Sequence, residues 1–350
     1  MRLMAVAFGA HAFASSSTIE QMRRVAQLAA HTAERVEDNL DYAIAQRNNH
    51  ASSEGAGLVT AAAVLDGHPR ADAWRRRGLE VLQHVARVFV YDDGAFAQHS
   101  TRYHHLMLQT YAWCMALLQR RGESLGDDVT ERVQRASAFL YLLHDATTGQ
   151  VPNTGQNDGA WLLPLSACAR GDVRPTLQAL HVLHHRTRVF DDDDVPGVSE
   201  LAQWLVGREA GQRRLQRRTL PPLTAPVGGH HTLRSRRGMA YVRCGTHVDR
   251  PSQCDMLHVD VWCDGDNVAS DPGTVSYNEP PPYHNPLAHT WAHNTVVVDG
   301  QDQTDKLTKF IWSPRVQAFV LPRRQDVHHD RPLWQLWEGG HNGYRRLPCD

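Results

Sequence analysis

Asn48, Asn49 and His50 stand side by side in "AQRNNHASSEGAGL", just after a segment with helical periodicity. Two amides beside an imidazole suit a site that offsets a substrate anion while moving a proton. The plainer reading is that the asparagines cap a helix. A second cluster lies in "YDDGAFAQHSTRYHHLMLQ", which brings Asp93, His99, Arg102, Tyr103, His104 and His105 into one segment. A third, "PSQCDMLHVDVWCDGDNVASDPGTVSYN", holds Gln253, Asp255, His258 and Asp271, and a fourth, "AHNTVVVDG", holds His293. With 22 histidines in 350 residues, metal or acid–base chemistry is a natural expectation.

The elements that must position these groups fall into two textures. Residues 1–205 read as a succession of helices: Met22, Val25, Leu28, Ala29 and Val36 recur at helical spacing, and later segments repeat the pattern. Short loops with Gly, Asp, Asn or Pro separate them, which suggests an α/α toroid or a bundle. Residues 206–229, rich in Arg, Pro and Gly, read as a linker. From 230 to 350 the period becomes two, in short β-branched or aromatic runs such as "GMAYVRCG", "MLHVDVWCDG", "HNTVVVDG" and "RVQAFVLP". Asp299-Gly300 carries a hairpin-turn signature. This part is expected to be an antiparallel β-sandwich, so the fold class is α+β, with a partial toroid and a sandwich incomplete at its C-terminal end.

Composition narrows the function. The formal net charge is −1, so no global field draws nucleic acid or an anionic membrane. No apolar run reaches the ~20 residues that span a bilayer. Six cysteines (Cys114, Cys168, Cys244, Cys254, Cys263 and Cys349) form no CxxC pair, so neither a zinc knuckle nor a disulfide framework is expected. The first 17 residues read as an ordinary helix, with a weak likeness to a signal peptide as the alternative.

The order of motifs resembles the heparinase II/III-like polysaccharide lyases and their alginate lyase relatives. The resemblance rests on "NNH", "DGAFAQHSTRYH", "DPGTVSYN" and "HNTVVVDGQDQ", in that order, from about residue 10 onward. It implies an α/α toroid joined to a β-sandwich, and cleavage of a uronic-acid polysaccharide by β-elimination. By resemblance, Asn49 neutralises the substrate carboxylate, and His50 and Tyr103 form the acid–base pair. Asn48, Arg102, His99, His104 and Asn157 are the substrate-binding candidates, with Arg102 also placed to lower the Tyr103 pKa. The expected partner is an acidic polysaccharide, and the resemblance suggests the bacterial cell envelope or periplasm.

One motif departs from the pattern. Where many relatives carry "HxHxD", this chain has Pro251, Gln253 and Asp255. The resemblance leaves Asp271, His293 and Gln253 as a weak set for a divalent metal such as zinc or calcium. His258 is the nearest other histidine, but strand alternation turns it away from Gln253 and Asp255. The departure keeps open a non-catalytic, polysaccharide-binding relative. Glu54 and Asp93 also allow a glycoside hydrolase on a toroid. The acidic run "FDDDDVPG", the basic run "RRLQRR" and the aromatics Trp161, Trp262, Tyr277, Tyr283 and Trp291 each have a plain surface or packing explanation beside a carbohydrate-binding one.

Overall fold

The computed structural model describes residues 1–249, 251, 253–328 and 331–348; Cys349 lies outside them. The helical half contains α1 (Arg2–Ala12), α2 (Ile19–Ala45), α3 (Asn49–Val64), α4 (Ala71–Phe89), α5 (Thr101–Arg120), α6 (Asp127–Leu143), α7 (Arg174–His185) and α8 (Glu200–Val206). Thr18 opens α2 with a capping box, its hydroxyl accepting from Gln21 while Gln21 reaches back. The first helix buries Leu3 and Met4 in the main core.

The central member is α3, buried on nearly every side. Its small residues explain how. Gly55 of α3 faces Gly78 of α4 so closely that a Cβ on Gly78 would lie 2.6 Å from the Gly55 carbonyl oxygen. The two backbones touch, and α5 packs on another face of α3 through Trp113, whose indole N–H donates to Thr60 at 2.9 Å. The small residues after "NNH" therefore let the helix that begins there sit in the middle of the helical half.

The remainder is antiparallel sheet. A five-stranded sheet runs in sequence order: β1 (Thr224–Ala225), β2 (His230–Arg234), β3 (Gly238–Arg243), β4 (His258–Cys263) and β5 (Asp266–Ala269). Smaller ladders pair β6 (Asp305–Thr308) with β7 (Ile311–Ser313), β8 (Ala318–Val320) with β11 (Gly339–His341), and β9 (Arg324–His328) with β10 (Arg331–Leu336). The Asp299-Gly300 turn forms as expected, with φ of 51° and 66°, and closes a bridge between Val298 and Gln301. The rest of "HNTVVV" does not form the expected strand. Side-chain bonds hold it as a loop against the entry to β4: Asn294 N–H donates to His258 Nδ1 at 3.0 Å, and Thr295 Oγ1 donates to the Met256 carbonyl at 2.7 Å.

The segment expected as a linker is partly ordered. It contains the end of α8, a short 3₁₀ turn (Arg208–Gln212) and β1. The acidic and basic runs meet here through Arg217, which pairs with Asp194 at 2.6 Å and Asp191 at 3.3 Å, while the preceding Arg188 pairs with Asp192 at 3.2 Å. Both runs remain half-exposed or exposed, as a solvated face laced with surface ion pairs.

Candidate functional site

Two helix N-termini meet at the site. Asn48 is the N-cap of α3, with its Oδ1 accepting from the His50 N–H at 2.9 Å. The capping reading is therefore correct for Asn48, and it leaves Asn49 and His50 on the first turn of the helix. Asn49 is buried and His50 exposed. The Asn49 N–H donates to Gln98 Oε1 at 2.9 Å. Gln98 belongs to the segment that leads into α5, whose N-cap, Ser100, accepts from the Tyr103 N–H at 3.1 Å. Thus "NNH" and Tyr103 are joined through Gln98 and Ser100, and the positive ends of two helices lie together. Sequence reasoning missed Gln98; its signal was a polar residue fixed between two expected site motifs.

The sheet half supplies the facing wall. Tyr277, in "DPGTVSYN", places its hydroxyl 3.5 Å from that of Tyr103. Burial, then Tyr277 and then Asp158, raise the Tyr103 pKa well above the ordinary tyrosine value. Tyr103 therefore holds its proton and is suited to give it up only to a stronger base in a reaction. Tyr277 was expected only as a surface for stacking; it is a partner of the candidate acid.

Other expected binders do something else. Arg102 turns to the 150–171 loop, reaching Asn153 Oδ1, the Gly171 carbonyl and Gln150 Oε1 at 3.3–3.4 Å. It does not lower the Tyr103 pKa. His104 is a core residue: it is buried, bound through Nε2 to the Ala136 carbonyl at 2.9 Å and stacked on Phe139. Burial pushes its pKa down to about 4. His99 is buried in the junction between the halves, 3.4 Å from the Arg243 guanidinium, and burial with that charge pushes it down to about 3. Asn157 ties down its own loop: its Nδ2 donates to Asn153, its Oδ1 accepts from Gly159 N–H and its backbone N–H donates to Thr274. Asp93 uses both carboxylate oxygens on backbone N–H groups, those of Ala95 and Gly228.

The metal candidates partly converge. His293 Nδ1 lies 3.2 Å from Asp271 Oδ2, and His258 Nε2 lies 3.7 Å from the same oxygen. One ligand atom from each of the three lies within 4.8 Å of the others. Burial alone would push the His293 ring down, but Asp271, with Asp255 and Asp302 beyond, outweighs it and raises the pKa. The alternation argument against His258 fails because β4 begins at His258. Gln253 and Asp255 precede the strand, and Leu257, between Asp255 and His258, has a left-handed φ of 60°, so period two does not run through the segment. Gln253 has its amide engaged: Oε1 accepts from Gly155 N–H and Nε2 donates to the Gly273 carbonyl, both at 2.9 Å. Gly155 has φ of 80°, and a Cβ there would lie 2.2 Å from the His99 carbonyl oxygen, so glycine is required for this approach.

His258 Nε2 and His293 Nε2 are buried without a hydrogen-bond partner, and His293 Nδ1 faces Asp271 Oδ2 at 3.2 Å; two imidazoles and a carboxylate are donors of a kind that zinc takes. His258 Nδ1 accepts from the Asn294 N–H, which leaves Nε2 as the ring nitrogen that faces Asp271. For Nε2 to serve as a metal ligand, Nδ1 would have to carry the ring proton and release the Asn294 N–H.

Comparison with known proteins follows this geometry. A family model described as "Heparinase II/III N-terminus" matches residues 2–153, and one described as "Heparinase II/III-like, C-terminal" matches residues 217–349. Among solved structures, a crystal structure of heparinase III superposes with a TM-score of 0.58 at 16% identity, covering 80% of this chain and 42% of that one. A crystal structure of the heparan sulfate lyase HepC from Pedobacter heparinus gives 0.52 at 15% identity, covering 80% of this chain and 40% of that one. The chain thus spans about two-fifths of the length of these structures. A search of curated proteins gives no match. Both halves of the sequence match models of one family, the helix-then-sheet architecture matches its solved structures, and the chain belongs to the heparinase II/III-like family.

Proposed function

We propose that the protein is a polysaccharide lyase acting on a uronic-acid polysaccharide by β-elimination. The observation that carries this reading is the junction of the Asn49–His50 helix start with Tyr103 through Gln98, faced by Tyr277. Elimination removes the proton on C5 and expels the oxygen on C4. The C5 proton is weakly acidic beside a charged carboxylate, so that charge must be offset. Asn49, on the first turn of α3, supplies an amide and the positive end of a helix. His50 takes the C5 proton as a neutral imidazole. Tyr103, held protonated by its surroundings, gives its proton to the leaving oxygen.

A divalent metal belongs to the same proposal, held by Asp271 and His293, with His258 or Gln253 as a third donor. Two ring nitrogens favour zinc over calcium, which takes oxygen ligands. The metal would brace the loops that carry Tyr277 and His293. The place of action that matches such a substrate is the bacterial cell envelope or periplasm.

A second reading is a relative that binds acidic polysaccharide without cleaving it. It is favoured by Pro251 and Gln253 standing where many relatives carry histidines. The deciding experiment is ultraviolet absorbance during incubation with a panel of acidic polysaccharides, with and without chelator. A rise from C4–C5 unsaturated uronate is expected. A flat trace across the panel from folded protein, with retained binding to one polymer, would select the second reading.

A further inference from the structure

We propose that Asp249, between β3 and β4, is a positioning residue that sets the turn carrying Asn48, Asn49 and His50. The proposal rests on the lyase reading of that turn. Asp249 belongs to the sheet half, yet both of its carboxylate oxygens engage the helical half. Oδ1 lies 2.6 Å from Arg47 Nε, and Oδ2 accepts from the Tyr91 hydroxyl at 2.5 Å. The carboxylate is buried, with 9% of its side-chain surface exposed.

The two partners lie on either side of the site. Arg47 directly precedes Asn48 and has a left-handed φ of 49°, a conformation that a residue with a Cβ disfavours. Its guanidinium also lies 5.1 Å from the Phe89 ring centroid. Tyr91 is in the turn after α4, where its N–H donates to the Ala95 carbonyl at 2.9 Å. That turn leads directly to Gln98, which accepts from the Asn49 N–H. A single carboxylate from the sheet half therefore fixes the chain before Asn49 and the segment that receives the Asn49 N–H. An unfavourable backbone conformation persists only where its surroundings over-determine it, and Asp249 supplies that constraint.

The test compares wild type with Asp249→Ala and Asp249→Asn, using amide hydrogen exchange by mass spectrometry and steady-state kinetics. In Asp249→Ala, exchange across residues 47–51 should rise about tenfold or more while the middle of α5 is unchanged. On a polymer that wild type cleaves, kcat should fall about tenfold or more with KM within about twofold. Asp249→Asn keeps an acceptor for Tyr91 and should recover part of both losses. Unchanged exchange at residues 47–51 overturns the proposal. So does an equal rise in α5, which would mean general support of the fold. If wild type yields no unsaturated product on any polymer, the lyase reading fails. The exchange result then still decides whether Asp249 sets the turn.

Discussion

The Tyr103 hydroxyl, from the first turn of α5, lies 3.5 Å from the Tyr277 hydroxyl, from the loop after β5. One tyrosine belongs to the helical half and the other to the sheet half. Tyr277 is among the causes that raise the Tyr103 pKa, second to burial. Removing its hydroxyl takes away one raising influence, so the Tyr103 pKa moves down. Tyr277→Phe should lower kcat for elimination with KM nearly unchanged, because the hydroxyl facing the candidate proton donor is lost. Tyr103→Phe should reduce turnover by about 10²–10⁴-fold, the range for loss of a positioned proton donor. Full activity in Tyr103→Phe would remove this residue from the chemistry.

Asn48 and Asn49 should separate in their effects. Asn48→Ala removes an N-cap and should cost about 1 kcal/mol of stability, while Asn48→Ser, which can also cap, should restore it. Asn49→Ala should leave unfolding nearly unchanged and lower kcat by about 10²-fold or more. Thermal melts and kinetics on the same preparations tell the two apart. Equal stability losses at the two positions would make both residues structural.

Buried histidines should make the fold acid-sensitive well above the carboxylate range. His99 and His105 are pushed down to about 3, and His104 and His144 to about 4, in each case first by burial. Unfolded, each has a pKa near 6.5. Above that value both states are neutral and no penalty exists. As pH falls below it the unfolded chain binds more protons, and each residue removes about 1.4 kcal/mol per pH unit until its folded value is reached. The unfolding temperature should therefore fall steadily from about pH 6.5 downward. A flat profile to pH 5 would contradict the assignment of these rings as neutral core residues.

Zinc should raise the unfolding temperature of protein first stripped by chelator. At 100 times the dissociation constant the gain is about 2.7 kcal/mol. Asp271→Asn and His293→Ala should abolish the gain. His258→Ala should abolish it as well, because its buried Nε2 faces the same Asp271 oxygen. Retention of the gain in His258→Ala would assign the third position to Gln253.

The sequence made the two textures and the motif order legible because both are local properties. Helical spacing and period two are written into consecutive residues, and Asp299-Gly300 is a two-residue signal. What failed were several roles set by long-range contact. His104 sits in the same "RYHH" run as Tyr103, but the helix turns it onto Phe139 and α6, while Tyr103 faces Tyr277. His258 was turned away by an alternation that does not apply before its strand begins. "HNTVVV" has strand composition, yet bonds from Asn294 and Thr295 to the β4 entry hold it out of a sheet. Asp249 carried no local mark, and Gln98 only that of a polar residue between two site motifs, since their importance lies in partners distant along the chain.

The acidic run neutralises part of the positive charge beside it: Asp191, Asp192 and Asp194 pair with Arg188 and Arg217. The Arg217 and Asp194 side chains stay largely exposed, so rising ionic strength loosens this pairing before it reaches any buried contact.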